Sequence, residues 1–217
     1  MPQKKFIIAI ILLLSLTCNS QGHFGLSASL NNYITDTPML LFKSANGFTL
    51  GLVSKYDLNE DFEILSGIYY NRFNTTFIGK ADVYSKAEDL KFNMDQLSIP
   101  ISLNFNYFSY YDFRLGIITG PSFNFGYGYQ YEDDSKSDYI LEPLGIPIYE
   151  MRFENYNDTL FVNVFWSLGL TAQYTEHLML DFKYFYGLTD PYRQTHIDSE
   201  FTEGKDSYFS FGLTGFF

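Results

Sequence analysis

The chain has 217 residues, of which 20% are aromatic and 18% charged, with 25 acidic against 14 basic side chains and a formal net charge of −11. So many rings with so little charge exclude a disordered acidic chain, and so few cations argue against a nucleic-acid partner, since phosphate binding needs clustered Lys and Arg. The length suits one domain, or two at most.

Lys4 and Lys5 followed by the apolar run from Phe6 to Leu16 read as a secretory signal peptide, because the run is too short for a membrane helix. Small residues at Cys18 and Ser20 place the cut between Ser20 and Gln21, leaving 1–20 as leader and 21–217 as a barrel domain. Lipidation of Cys18 is the rival reading, and Ser15-Leu16-Thr17 before it fits that pattern poorly. After the cut no cysteine remains, so the exported chain is held by its hydrogen-bonded fold and not by disulfides. No later apolar run is long enough for a membrane helix. The other structure that satisfies every backbone group in lipid is a closed β-barrel, whose strands alternate apolar and polar residues.

That alternation recurs along the chain. Phe24 to Ile34 carries Phe24, Leu26, Ala28 and Leu30 on one face, and Phe48 to Tyr56 carries Phe48, Leu50 and Leu52. Phe62 to Phe73 is apolar on both faces and is predicted as a strand of unassigned sides. From Gln96 to Tyr107, Leu97, Ile99, Ile101, Leu103, Phe105 and Tyr107 oppose Gln96, Ser98, Pro100, Ser102, Asn104 and Asn106. Phe113 to Tyr131 is predicted as one long strand kinked at Gly120-Pro121, with Phe123, Phe125, Tyr127, Tyr129 and Tyr131 on one face. Three more follow. Val162 to Gln173 sets Trp166, Leu168 and Leu170 against Asn163, Ser167 and Thr171. Leu178 to Gly187 sets Leu180, Phe182 and Tyr184 against Asp181 and Lys183, and Phe209 to Phe217 sets Phe211 and Leu213 against Ser210, Gly212 and Thr214.

These make an all-β chain, an eight-stranded antiparallel up-and-down transmembrane β-barrel, the even count favouring one kinked strand over two. Predicted connectors alternate in length: Thr35 to Gly47, Asn74 to Asp95, Glu132 to Asp158 and Leu188 to Asp206 are long, whereas Asp57 to Asp61, Phe108 to Asp112 and Thr175 to His177 are short. Short periplasmic turns and long extracellular loops are the pattern of such barrels, so both termini belong to the periplasm. Acidic residues crowd the long loops, as in Glu132, Asp133, Asp134, Asp138, Glu142, Glu150, Glu154 and Asp158, where solvation near lipopolysaccharide and its divalent cations accounts for them.

The stretches Asp95-Gln96-Leu97-Ser98-Ile99-Pro100-Ile101 and Phe113-Arg114-Leu115-Gly116-Ile117 to Gly120-Pro121, with the aromatic C-terminus, resemble the PorT-like outer-membrane β-barrel family of the Bacteroidota. The resemblance covers nearly the whole mature chain. It implies an outer-membrane location and, through the family's founding member, an accessory role in type IX protein secretion. The end Gly212-Leu213-Thr214-Gly215-Phe216-Phe217 is similar to the signal read by the barrel-assembly machinery, good at Phe217 and departing at Gly215, where a large apolar residue is expected.

An eight-stranded barrel is just wide enough for its inward side chains to fill it, which disfavours a diffusion pore. Gln96, Asn104, Arg114, Asp181 and Lys183 are candidates for an interior polar network, more simply charges paired to satisfy a filled lumen than an ion path. The histidines match no catalytic spacing: His23 lies at the N-terminus, His177 in a short turn, and His196, Asp198 and Ser199 in one outer loop. No His pair has metal-ligand spacing, and Asp133 to Asp138 lacks the glycine and terminal glutamate of a calcium loop. The expectation is a non-enzymatic barrel without cofactor or metal. Its partners would be outer-membrane lipid, lipopolysaccharide, the assembly machinery and an unidentified extracellular or secretion-system protein. A lipid-modifying enzyme or protease, and a soluble secreted ligand-binding barrel with the polar face outward, stand as alternatives.

Overall fold

The computed structural model describes residues 22–36, 42–82, 84–127, 130–141, 160–189 and 205–217. The alternating segments pair into eight long antiparallel strands, β1 (Gly22–Asp36), β2 (Phe42–Asp57), β3 (Phe62–Lys80), β4 (Glu88–Tyr110), β5 (Phe113–Tyr127), β8 (Leu160–Tyr174), β9 (Leu178–Gly187) and β10 (Lys205–Phe216). Each long strand pairs with its neighbours in chain order, and β1 also pairs with β10, so the ladder closes into a ring. Two residue pairs, β6 (Gln130–Tyr131) and β7 (Ile140–Leu141), add to the outer ends of β4 and β3. The predicted up-and-down eight-stranded antiparallel sheet is the fold observed.

Closure leaves no open edge, and the period-two alternation then sorts every strand into an outside and an inside. Outward residues are apolar and bare: Leu26, Leu30, Leu52, Leu168, Leu170 and Phe211 are more than half exposed. Many inward residues are amides, hydroxyls and glycines, with Asn124 and Asn163 fully buried. This is the reverse of a water-soluble sheet. On β4 the outward row runs from Leu97 to Tyr107. At a rise of ~3.3 Å per residue and a tilt of ~40°, that row climbs about 25 Å, the height of the apolar band of a membrane barrel.

The structure settles the sides of β3. Glu63, Leu65, Asn71, Phe73, Thr75 and Phe77 are buried within, and Ile68 and Tyr70 face out. It also lengthens the strands at the end away from the termini. Much of the predicted loop from Asn74 to Asp95 is the tip of a β3–β4 hairpin in register from Asn74↔Asn93 to Gly79↔Glu88. Similarly, β1 runs on to Asp36, β2 begins at Phe42, and Asp206 belongs to β10 and is buried. The short turns at 58–61, 111–112 and 175–177 are as expected.

One strand prediction is corrected. Phe125 pairs with Leu97 and Tyr131 with Phe92, six residues on one side against five on the other, so an extra residue lies between. Gly126, at φ +73°, turns the chain there. Past it Tyr131 no longer continues the outward row of Phe123 and Phe125, and its ring lies 4.4 Å from that of buried Phe92. Gly120 and Pro121 stay inside β5 without ending it. The leader, with Cys18, Ser20 and Gln21, lies outside the described residues, as do Tyr129, Glu142, Glu150, Glu154 and Asp158.

Candidate functional site

The lumen is filled in layers. Nearest the termini, Glu63 on β3 is the hub. Its carboxylate accepts from Asn104 Nδ2 at 2.9 Å and lies 3.4 Å from Arg114 Nη1 and 3.9 Å from Lys55 Nζ. Asn104 is used fully: its second hydrogen goes to Asn106 Oδ1, and its carbonyl oxygen accepts from Thr171 at 2.8 Å. The Lys55 ammonium also sits 5.1 Å from the centre of the Phe216 ring. Two cations on one carboxylate, with Lys55 and Glu63 almost wholly buried, form a closed electrostatic layer.

Above it Val53, Leu65, Ile118, Met179 and Phe216 make an apolar layer, with Tyr69 packed against it. Next comes the Asp181–Lys183 ion pair at 2.9 Å. It lies flat on the wall because its neighbours are glycines. A Cβ at Gly212 would stand 2.7 Å from the Asp181 carboxylate, and one at Gly169 2.7 Å from Lys183 Cγ. Gly212, expected as part of an assembly signal, thus has a packing reason of its own inside the barrel, whereas Phe217 faces outward and is exposed.

At the same depth a relay of side chains crosses four strands: Asn31 donates to Thr49 at 2.7 Å, Thr49 to Asn71 at 2.6 Å, and Asn71 to Ser98 at 2.8 Å. Asn124 donates to Gln96 at 2.8 Å and accepts from Ser122 at 2.9 Å. An aromatic plug then caps these polar layers: Tyr33, Phe73, Met94, Phe165, Phe185 and Tyr208, with Phe185 and Tyr208 stacked 4.3 Å apart. Stacked and tilted rings at such distances attract one another beyond their area burial.

The five polar residues named from the sequence are therefore all on the wall's inner face, but in three separate groups: Asn104 with Arg114 around Glu63, Asp181 with Lys183, and Gln96 with Asn124. Glu63, Lys55 and the plug were missed. Lys55 continues the inward series Thr49, Gly51, Val53, the opposite face of the predicted strand Phe48 to Tyr56.

At the far end the hairpin rises beyond the apolar belt and carries ion pairs: Lys43–Asp89 at 2.7 Å, Lys136–Glu88 at 2.9 Å and Lys91–Glu132 at 4.0 Å. A cavity of about 250 Å³ opens there, lined by Leu90, Lys91, Tyr131, Glu132 and Asp133 among others. Hydrogen bonds from Ser135 hold the Asp133 carboxyl below its ordinary range, and the hydrogen bond to Glu88 pushes Lys136 up. His23 lies 3.9 Å from Asp57 and His177 Nδ1 3.2 Å from the Phe216 carbonyl, both at the termini end. The His196, Asp198 and Ser199 group falls outside the described residues. Among the described residues no three His, Cys, Asp or Glu side chains are grouped to hold a metal.

Residues 18–193 match the family described as outer membrane protein beta-barrel domain. No curated protein matches the sequence. Among solved structures the chain is similar to Ail, the attachment invasion locus protein of Yersinia pestis, at 12% identity and a TM-score of 0.47, over 90% of this chain and 99% of that one. It is also similar to Neisserial surface protein A, at 14% identity and a TM-score of 0.45, over 89% and 97%. A further likeness is to the outer membrane protein OprG from Pseudomonas aeruginosa, at 11% identity and a TM-score of 0.47, over 91% and 97%.

Proposed function

We propose that this chain, which belongs to the outer membrane protein beta-barrel domain family, is a non-enzymatic surface protein whose barrel is an anchor and whose charged outer end is the working part. The observation that carries this reading is the filled lumen. Among the described residues an electrostatic layer lies at one end and a ring plug toward the other, and this filling supports a barrel that neither conducts nor catalyses. Chemistry directed at a partner is left to the outer end, where Lys91 and Glu132 are exposed beside the cavity. In this reading a signal peptide cut between Ser20 and Gln21 exports the chain, and the assembly machinery recognises its C-terminal strand through Phe217. The short turns and both termini face the periplasm, and lipopolysaccharide surrounds the outer rim.

The test is surface labelling of whole cells with a membrane-impermeant amine reagent, followed by mapping of the modified lysines. Modification of Lys91 and Lys136 with Lys55 untouched is expected. A protected Lys91 or a steady single-channel current from the purified barrel would overturn the reading.

A second reading follows from the resemblance to the PorT-like proteins of the Bacteroidota: an accessory part in type IX secretion. The quoted Ile-Pro and Gly-Pro stretches, which carry that resemblance, fall on adjoining strands β4 and β5. A deletion strain decides it. Lost export of type IX cargo supports the secretion role, and normal export disposes of it.

A further inference from the structure

Outward residues that face one another across neighbouring strands trace a continuous row around the barrel. From Leu103 on β4 the register leads through Thr119, Leu168, Tyr184 and Phe209. It continues to Asn32, Asn46, Asn74 and Asn93, the last again on β4 and ten residues nearer its outer end. Strands tilted by ~40° make such a row climb about 25 Å in one turn, or about 3 Å per strand. Asn93 stands four residues above Leu97, the top of the apolar row on β4, which is about 10 Å. Asn32, three strands down the slope, is level with the top of the belt.

The chemistry changes abruptly where the row leaves the belt. Tyr184 and Phe209, rings 4.8 Å apart, are followed by four amides in cross-strand register. Asparagine is depleted in strands, so such a run costs the sheet and does not support it. Asn32 donates to Asn46 at 3.2 Å, whereas the Asn74 and Asn93 side chains bond no described residue. Each cation beside the row has a carboxylate of its own: Arg72 has Asp95 at 3.9 Å, Lys43 has Asp89 at 2.7 Å, and Lys91 has Glu132 at 4.0 Å. No excess positive charge therefore calls for a phosphate. An amide both donates and accepts, as a sugar hydroxyl does, while a phosphate oxygen only accepts. Directly beneath lie apolar side chains, Leu30 paired with Phe48, and the Phe48 ring stands 6.2 Å from that of Tyr70.

We propose that the Asn32–Asn46–Asn74–Asn93 row is a shelf for the uncharged sugar head of an outer-leaflet glycolipid, whose acyl chains lie along Leu30 and Phe48. The row spans three strand spacings, about 14 Å, so it takes a head of more than one sugar ring. The inference rests on the membrane-barrel reading, and the experiment separates the two.

Full-length protein carrying Trp166→Phe and Leu50→Trp is folded into vesicles of brominated phosphatidylcholine and checked by heat-modifiable migration. Leu50 is outward, more than half exposed and four residues below Asn46 on β2. Unbrominated lactosyl diacylglycerol or phosphatidylglycerol is then added in increasing fraction, and relief of quenching measures how strongly each displaces phosphatidylcholine beside β2. The lactosyl lipid is expected to bind about tenfold tighter than phosphatidylcholine, the size of one or two net hydrogen bonds, and phosphatidylglycerol no tighter. Asn46→Ala with Asn74→Ala removes the preference. Trp166 in the otherwise unchanged chain, on the opposite wall, reports none. Equal affinities of the three lipids, a preference for phosphatidylglycerol, or a ratio unmoved by the double replacement would overturn the proposal and leave the barrel standing. A Leu50→Trp fluorescence that brominated lipid does not quench would overturn the barrel reading itself, and the shelf with it.

Discussion

Replacing Glu63 by Gln removes one charge from the layer nearest the termini and changes almost nothing else. The amide keeps an oxygen for Asn104 Nδ2 and is the same size, so the effect isolates electrostatics. Lys55 and Glu63 are each 1% exposed, so water cannot screen the cation left behind. Arg114 is a third exposed and can turn toward solvent. Breaking a buried pair by deleting one partner costs about 3–5 kcal/mol, and the lower figure applies here, because Lys55 keeps the Phe216 ring and stands 3.9 Å from the carboxylate. Glu63→Gln is therefore expected to lose about 3 kcal/mol, and Glu63→Gln with Lys55→Met to recover at least half of that loss. Urea titration in phospholipid vesicles reads this through Trp166, the one tryptophan of the chain. A loss below about 0.5 kcal/mol, the size of an ordinary surface substitution, would refute the buried-hub account. So would a double variant less stable than the single one.

Three more predictions follow from the same geometry. Gly212→Ala places a methyl 2.7 Å from the Asp181 carboxylate and is expected to cost about 1–3 kcal/mol in the same titration; an unchanged midpoint would mean that the ion pair does not lie on the wall. Leu50→Arg, in the middle of the outward belt, is expected to cost about 2–4 kcal/mol, whereas Asn46→Arg, above the belt on the same strand, costs less than about 1 kcal/mol; equal costs would deny the belt its depth profile. The turn at 133–137 responds to pH in a fixed direction. Its depressed Asp133 carboxyl contributes above the ordinary value of 3.8 and loses that contribution as pH falls through its lower folded value. Its raised Lys136 contributes below 10.5 and is lost as pH rises through its higher folded value. Protease nicking of this segment is therefore expected to be flat between those limits and to rise outside them, so a step near neutral pH would contradict the assignment.

How far the fold could be read from the sequence depended on which solvent each residue meets. In the belt, one face meets lipid and the other a crowded polar interior, and rows such as Leu97 to Tyr107 alternate cleanly. Beyond the belt the rule inverts. Phe77, Leu90 and Phe92 point in while Thr76, Lys91 and Asn93 point out, so a search for oily outward rows takes that hairpin for a loop. The kink at Gly126 was hidden because the aromatic alternation continues through Tyr131, and only pairing with Phe92 reveals the changed side. The interior was harder. Its plug uses Tyr33, Phe73, Phe165, Phe185 and Tyr208, residues that look like lipid-facing rings by type and are inward only by position. Glu63 was lost in a strand apolar on both faces, where parity could not be set without a partner strand.

The most direct test of the account is where Trp166 points. It stands on the outer face of β8, 47% exposed, with its indole N–H donating to Thr119 at 3.0 Å. In vesicles made with lipids brominated on their acyl chains, its fluorescence is predicted to be strongly quenched and to ignore aqueous iodide. Quenching by iodide with none by the brominated lipid would put that face in water, and the membrane barrel would be contradicted.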